Sequence, residues 1–158
     1  MEADELENNL TVLFVEMVCR AGDCFSQTFT LSGPGKGNIS DQDEAGGLSG
    51  KLDFEKVKGL TPASINVEAI RKQYEEAKAM IPENYTFKSI GDYLIQETVP
   101  SGNEFLDRNK TFGEVKAEFS MNITENGKEI VESAGKKSVQ YYEVTFNVLP
   151  DGSVQMEE

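Results

Sequence analysis

Residues 115–124 read Val-Lys-Ala-Glu-Phe-Ser-Met-Asn-Ile-Thr, and this stretch decides the fold. Val115, Ala117, Phe119, Met121 and Ile123 alternate with Lys116, Glu118, Ser120, Asn122 and Thr124. A period of two sends the first set to one face of a strand and the second to the other. The pattern therefore predicts a half-buried antiparallel strand with one wet face, and it places Asn122 on that face.

Downstream, Asn126-Gly127 is the pair that a two-residue hairpin turn favours, because both of its central residues need positive φ. Ile130 and Val131 are expected to begin the return, with a second break at Gly135-Lys136-Lys137. Tyr142, Val144, Phe146 and Val148 form the next apolar face, Pro150-Asp151-Gly152 turns the chain, and Val154 and Met156 finish a short strand. Upstream, residues 85–99 satisfy two periods: Tyr85, Phe87, Tyr93 and Ile95 share a strand face, while Phe87, Ile90 and Leu94 fit a helical stripe. Gly91 suits neither, and we read the segment as a strand ended by the turn residues Pro100-Ser101-Gly102-Asn103.

Residues 61–81 predict the one clear helix. Thr61-Pro62 is an N-cap and first-turn pair, Asn66 would cap a shorter version, and Pro82 stops the run. Val67, Ile70, Tyr74, Ala77 and Ile81 recur at spacings of three and four. The opposite face mixes charges and permits Glu68–Lys72 and Glu75–Lys78 pairs, the pattern of a solvated surface.

The first fifty residues are read differently. Residues 1–9 are an acidic tail. Residues 10–19 are apolar on both alternating faces apart from Thr11 and Glu16, and their β-branched and aromatic content favours a strand. Cys19 and Cys24 bracket Arg-Ala-Gly-Asp, and Phe25, Phe29 and Leu31 alternate with polar residues beyond, so the segment predicts a hairpin with a four-residue turn. In that reading the cysteines face each other and a disulfide closes the turn; the other reading is two reduced, half-buried thiols. Residues 32–50, rich in Gly, Ser and Asp, are expected to be an exposed loop. Asp41 and Asp43 with Gly46 imitate the start of a calcium loop, but Ala45 and Leu52 stand where oxygen ligands are required. Gly33-Pro34-Gly35-Lys36-Gly37 lacks the spacing of a phosphate loop.

The expected class is α+β: a single domain over 1–158 with an N-terminal β-hairpin and one amphipathic helix packed on a four- to five-stranded antiparallel sheet. One helix before such a sheet resembles the cystatin-like and NTF2-like architectures as a succession of elements. The Gln-x-Val-x-Gly hairpin of cystatin inhibitors is absent, and no functional residue carries over.

The net charge of −13 disfavours nucleic-acid backbones and anionic lipid surfaces, and no apolar run is long enough to span a membrane as a helix. Five of the ten asparagines, Asn9, Asn38, Asn84, Asn109 and Asn122, stand in Asn-x-Ser/Thr sequons. Chance would place roughly 1.3 there given the 20 Ser and Thr residues, so the excess points to an exported, glycan-bearing chain. The N-terminus has no basic and apolar leader, which leaves either a cytoplasmic chain with idle sequons or an exported one whose leader is gone.

With no histidine, histidine-based triads and metal sites cannot form within one chain, and two cysteines alone do not make a zinc site. Asp92, Tyr93, Tyr141 and Tyr142 are the remaining acid–base candidates, with Tyr93 and Tyr142 on expected core faces. The expected protein is therefore a non-catalytic extracellular structural or adhesive module without a cofactor. Its partner is another protein or a second copy, reached by strand addition from the N-terminal segment. Two alternatives stand beside it. One is a carrier of small apolar ligands lined by Phe87, Tyr93, Phe119 and Phe146; the other is a cytoplasmic acidic decoy for a nucleic-acid-binding protein.

Overall fold

The computed structural model describes residues 10–44, 52–101, 103–133 and 135–157; the acidic tail, Asn9 and the end of the 32–50 loop lie outside them. The strands are β1 (Val12–Val18), β2 (Cys24–Thr30), β3 (Asp43–Glu44), β4 (Tyr85–Glu97), β5 (Val115–Glu125), β6 (Ile130–Ser133), β7 (Lys136–Val139), β8 (Tyr142–Val148) and β9 (Val154–Met156). The α-helices are α1 (Val67–Lys78) and α2 (Glu104–Asp107). The class is α+β. By their contacts these residues form two compact units: a helix–sheet unit over 60–96 and 116–157, and a hairpin unit over the described parts of 10–59 and 97–115.

In the helix–sheet unit the strand order is β4-β5-β8-β9. Side-chain and backbone bonds link Asn84 with Asn126, Ser89 with Asn122 and Asp92 with Ser120, the reversed order that antiparallel pairing of β4 and β5 requires. β5 and β8 run in register from Ala117↔Val148 to Ile123↔Tyr142. Period-two burial holds on the core side: Phe119, Met121, Phe146 and Val154 pack under Ala77 of α1, with Tyr74, Met80, Phe87 and Tyr93 at the margins. Rings organise this core, with Phe119 stacked on Phe146 at 5.2 Å and meeting Tyr74 edge-on at 4.9 Å.

Three expectations are corrected here. The helix starts at Val67, not at Thr61: Asn66 caps it by accepting the Ala69 N–H at 3.1 Å, and Pro62–Ser64 forms a separate 3₁₀ turn. Glu68 pairs with Arg71, three residues on, at 3.9 Å. Ile130 and Val131 do not return along β5. That place belongs to β8, whose four alternating apolar residues cover a full face, whereas two adjacent apolar residues cannot. They pair instead with β7 in a two-stranded hairpin whose described residues are all exposed.

Asn122 is not on a wet face. From Phe119 to Thr124 β5 is shielded on both sides, Ser120 and Thr124 being buried and the Asn122 amide donating to Ser89 Oγ at 3.0 Å. Gly91 explains its own presence. A Cβ there would lie 2.2 Å from Ser120 Oγ, and the next residue, Asp92, bonds the same hydroxyl through its N–H and its carboxylate. Two consecutive residues of β4 thus face one of β5, the relation of a β-bulge.

In the hairpin unit β1 and β2 pair from Val12↔Thr30 to Val18↔Cys24. Part of the expected loop is ordered as a third strand: the chain turns at Gly33–Gly37, Ile39 bridges Phe29, and Asp43 and Glu44 pair with Ser26 and Phe25. Leu52 closes over the hairpin turn, its N–H donating to the Gly22 carbonyl at 2.8 Å. Glu97 accepts the Lys58 and Gly59 N–H groups at 2.8 and 2.7 Å, and Thr98 exchanges backbone bonds with Gly113 and Glu114. Asn103 caps the short α2, and the Asp107 carboxylate takes both the N–H and the hydroxyl of Ser101.

Candidate functional site

The residues that could meet a partner are on β1. In an antiparallel ladder, residues alternate between those that exchange bonds with the neighbour and those whose N–H and C=O point the other way. Leu31 N–H donates to Thr11 C=O at 2.7 Å and Cys19 N–H to Asp23 C=O at 2.9 Å, so the odd-numbered residues of β1 face β2. Val12, Phe14, Glu16 and Val18 therefore carry their N–H and C=O groups toward the open side. β1 ends the sheet order β1-β2-β3, so among the described residues no strand covers that side.

The side chains add apolar surface to this edge. Leu10, Val12, Leu13 and Phe14 are all exposed, Phe14 at 58 %. Val12 and Phe14 share one face and Leu13 lies on the other, so both faces of the strand show apolar surface at its start. Edge strands are commonly blunted by lysine, proline or a bulge; β1 carries only Glu16.

At the closed end of this hairpin the facing arrangement of the cysteines is corrected. The register sets Val18, not Cys19, opposite Cys24, and Cys19 opposite Asp23, because the turn takes three residues, Arg20–Gly22, and not the four expected. Cys19 and Cys24 are free thiols, Cys19 directed at the Asp23 carboxylate at 3.8 Å and Cys24 at the Gly22 carbonyl at 3.9 Å. Burial pushes the Cys24 thiol up, and the charges of Glu16, Asp23 and Cys19 add to the shift, so its thiolate is suppressed.

The sequons divide by accessibility. Asn38, Asn84 and Asn109 are exposed, Asn38 on the turn between β2 and β3 and Asn109 just after α2. Asn9 lies outside the described residues. Asn122 has its amide nitrogen engaged within the sheet and its partner Thr124 wholly buried, so the folded chain does not present it.

The four residues expected to line a ligand cavity make the core instead. Tyr93 stacks on Phe119 at 5.6 Å, Phe119 on Phe146, and Phe87 lies under the Lys78 ammonium at 4.4 Å. The acid–base candidates are not assembled. Asp92 is committed to Ser120 at 2.5 Å, while Tyr93, on the other face of β4, donates its hydroxyl to the buried Gln73 at 2.7 Å. Tyr142 meets Tyr85 edge-on at 5.8 Å, and Tyr141 is exposed. Among the described residues no His/Cys/Asp/Glu group could hold a metal ion, and no helix is long and apolar enough to cross a membrane.

The polar pair Gln73–Tyr93 escaped the sequence reading because glutamine on an apolar helix stripe reads as surface. The signal that could have found it is its position: three residues after Ile70 and four before Ala77, it sits within the buried stripe. Compared with protein-family models, curated proteins and solved structures, the chain matches none.

Proposed function

We propose that the protein is a non-catalytic extracellular interaction module that engages a protein partner, or a second copy of itself, by adding a strand at β1. The open edge carries this reading: four outward-facing residues, Val12, Phe14, Glu16 and Val18, form a backbone ladder flanked by exposed apolar side chains. Export is supported by the sequon excess and by the exposure of Asn38, Asn84 and Asn109, none of which lies on β1.

Proline separates the edge from the fold. Glu16→Pro removes an N–H on the open side and leaves the bonds to β2 in place, whereas Met17→Pro removes one that β2 uses. Sedimentation of the protein produced in a glycosylating host is expected to show assembly in the wild type and its loss in Glu16→Pro, with the hairpin's amide spectrum retained. An assembly that survives Glu16→Pro while Met17→Pro disrupts the hairpin would refute β1 as the contact. Intact mass of the secreted protein checks export: sugar increments are expected at the three exposed sequons, and an unmodified mass would return the chain to the cytoplasmic reading.

A further inference from the structure

Phe105 and Leu106 are both exposed, Phe105 at 80 %, on a single helical turn of the hairpin unit. A helix of four residues does not hold itself, because one turn orders several residues for a bond or two. α2 is held from outside. Asn103 Oδ1 accepts the Phe105 N–H at 3.0 Å, and the Asp107 carboxylate accepts the Ser101 N–H at 2.9 Å and its hydroxyl at 2.8 Å. The turn is thus fixed at both ends while its apolar side chains stay in water.

The helical path runs on past α2. Arg108 keeps right-handed helical angles, φ −54° and ψ −32°, and the Lys110 N–H donates to the Asp107 C=O at 3.1 Å, which carries the turn through Asn109. Asn109 stands four residues after Phe105 and three after Leu106. Those are the two spacings that make neighbours on a helix surface, with Cβ atoms about 5–6 Å apart. Asn109 also heads the sequon Asn109-Lys110-Thr111, whose three residues are all exposed. In the sequons of Asn38 and Asn84 the hydroxyl residue is tied into the fold: Ser40 Oγ accepts the Thr28 N–H at 3.0 Å, and the Thr86 hydroxyl donates to Asn126 Oδ1 at 2.6 Å.

We propose that Asn109 carries an N-linked glycan whose first N-acetylglucosamine lies over Phe105 and Leu106. This rests on the reading of the chain as exported. In the transfer, the bond from the sugar's anomeric carbon to a polyprenyl diphosphate donor breaks and the bond to Asn109 Nδ2 forms, one amide proton leaving with the diphosphate. The first sugar then sits one turn from the exposed ring. A pyranose presents C–H groups on its face, and these are attracted to the negative face of an aromatic ring, while the methyl of the acetamido group and the Leu106 side chain add apolar contact. The glycan covers apolar surface that the protein leaves bare and braces a turn too short to stand alone.

The test uses the full chain secreted from a glycosylating host, its glycans trimmed enzymatically to the first N-acetylglucosamine. Peptide mass mapping is expected to find the sugar at Asn109. The Phe105 ring should move the proton resonances of that sugar upfield, and Phe105→Leu, which keeps an apolar side chain without a ring, should return them to the values of a solvated sugar. Losing the sugar in Asn109→Gln should speed hydrogen exchange of the 105–110 amides about fivefold when Phe105 is present and leave it unchanged in the Phe105→Ser background. Phe105→Tyr should keep the coupling. A sugar at Asn109 with unshifted resonances, or equal exchange with and without it, would overturn the stacking. Sugars at other sequons but none at Asn109 would overturn the site and leave export standing; a secreted chain with no sugar at all would overturn the export reading and the site with it.

Discussion

The two units of this chain differ in how much apolar surface they bury, not in whether they expose any. Of the seven apolar residues buried among the described residues, Ala77, Phe119, Met121, Ile123, Phe146 and Val154 belong to the helix–sheet unit and only Leu52 to the hairpin unit. Exposed apolar residues occur in both, Ile65, Val67, Leu94 and Ile130 among them in the helix–sheet unit and Leu10, Val12, Leu13, Phe14, Leu31, Ile39 and, at 80 %, Phe105 in the hairpin unit. Both units obey the same strand periodicity. What differs is the presence of a second layer: α1 covers the sheet of one unit, and among the described residues no helix of comparable length lies in the other. A sheet that no helix covers leaves its apolar face displayed, and the proposed strand addition at β1 draws on that surface.

The sharpest way to break that contrast is to truncate one phenylalanine in each unit. Phe119→Ala removes a ring packed against Tyr74, Tyr93 and Phe146 and is expected to cost about 3–5 kcal/mol in chemical denaturation. Phe14→Ser, at an exposed position, is expected to change stability by no more than about 0.5 kcal/mol while weakening assembly. Comparable stability losses in the two variants would mean that the hairpin unit hides its apolar residues after all.

Gly91→Ala probes the back of the helix–sheet unit. The added methyl would meet Ser120 Oγ at 2.2 Å, in a place where Ser120 is buried and already bonded to Asp92. Either the hydroxyl rotates and loses Asp92 or the bulge opens, and a loss of about 1–3 kcal/mol is expected. A neutral result would show that the bulge does not depend on glycine.

Legibility in the sequence followed the same division. The helix–sheet unit could be read because its elements are amphipathic: 115–124, 142–148 and the helical stripe each name a face, and faces that need covering must meet. The limits of α1 were less clear because Thr61-Pro62 and Asn66 are both good starts; the Asn66 side chain decided by reaching the Ala69 N–H. Short polar strands were invisible. Asp43 and Glu44 have no apolar period, and they join β2 through backbone bonds that any residue can make. The buried polar side of β5 was also hidden, since Ser120, Asn122 and Thr124 have a surface-like composition and only pairing with β4 encloses them. As for the candidate edge, the two-faced apolar run 10–19 announced it, but which residues point outward depends on register, and register was misjudged by one residue at the cysteines.

A smaller effect tests the polar contacts of the core. Tyr93→Phe leaves Gln73 Oε1 without the hydroxyl that serves it, with an expected loss of about 1–2 kcal/mol. The neighbouring Tyr74 gives a pH signature: burial, with the nearby Tyr93 and Asp92 adding, pushes its phenol up to about 12. The unfolded chain releases that proton near the ordinary value of about 10, so the contribution of Tyr74 is complete below pH ~10 and is lost as the pH climbs toward 12. Absorbance titration of Tyr74→Phe against wild type should remove the latest-ionising phenol. If wild type loses no more stability than the variant over that range, Tyr74 is not the group responsible.

The smallest expected change has the opposite sign. Thr124 is wholly buried, and its hydroxyl has no hydrogen-bond partner among the described residues. A buried hydroxyl left unpaired costs more than it contributes, so Thr124→Val, which replaces that oxygen by a methyl of similar size, should raise stability by up to about 1 kcal/mol. The same substitution removes the sequon at Asn122. If the folded sheet withholds Asn122 as its bond to Ser89 implies, the mass of the secreted variant should equal that of wild type apart from the substitution itself. A loss of one sugar increment would show that Asn122 is modified before β5 is enclosed, and that the two sides of this strand are completed at different times.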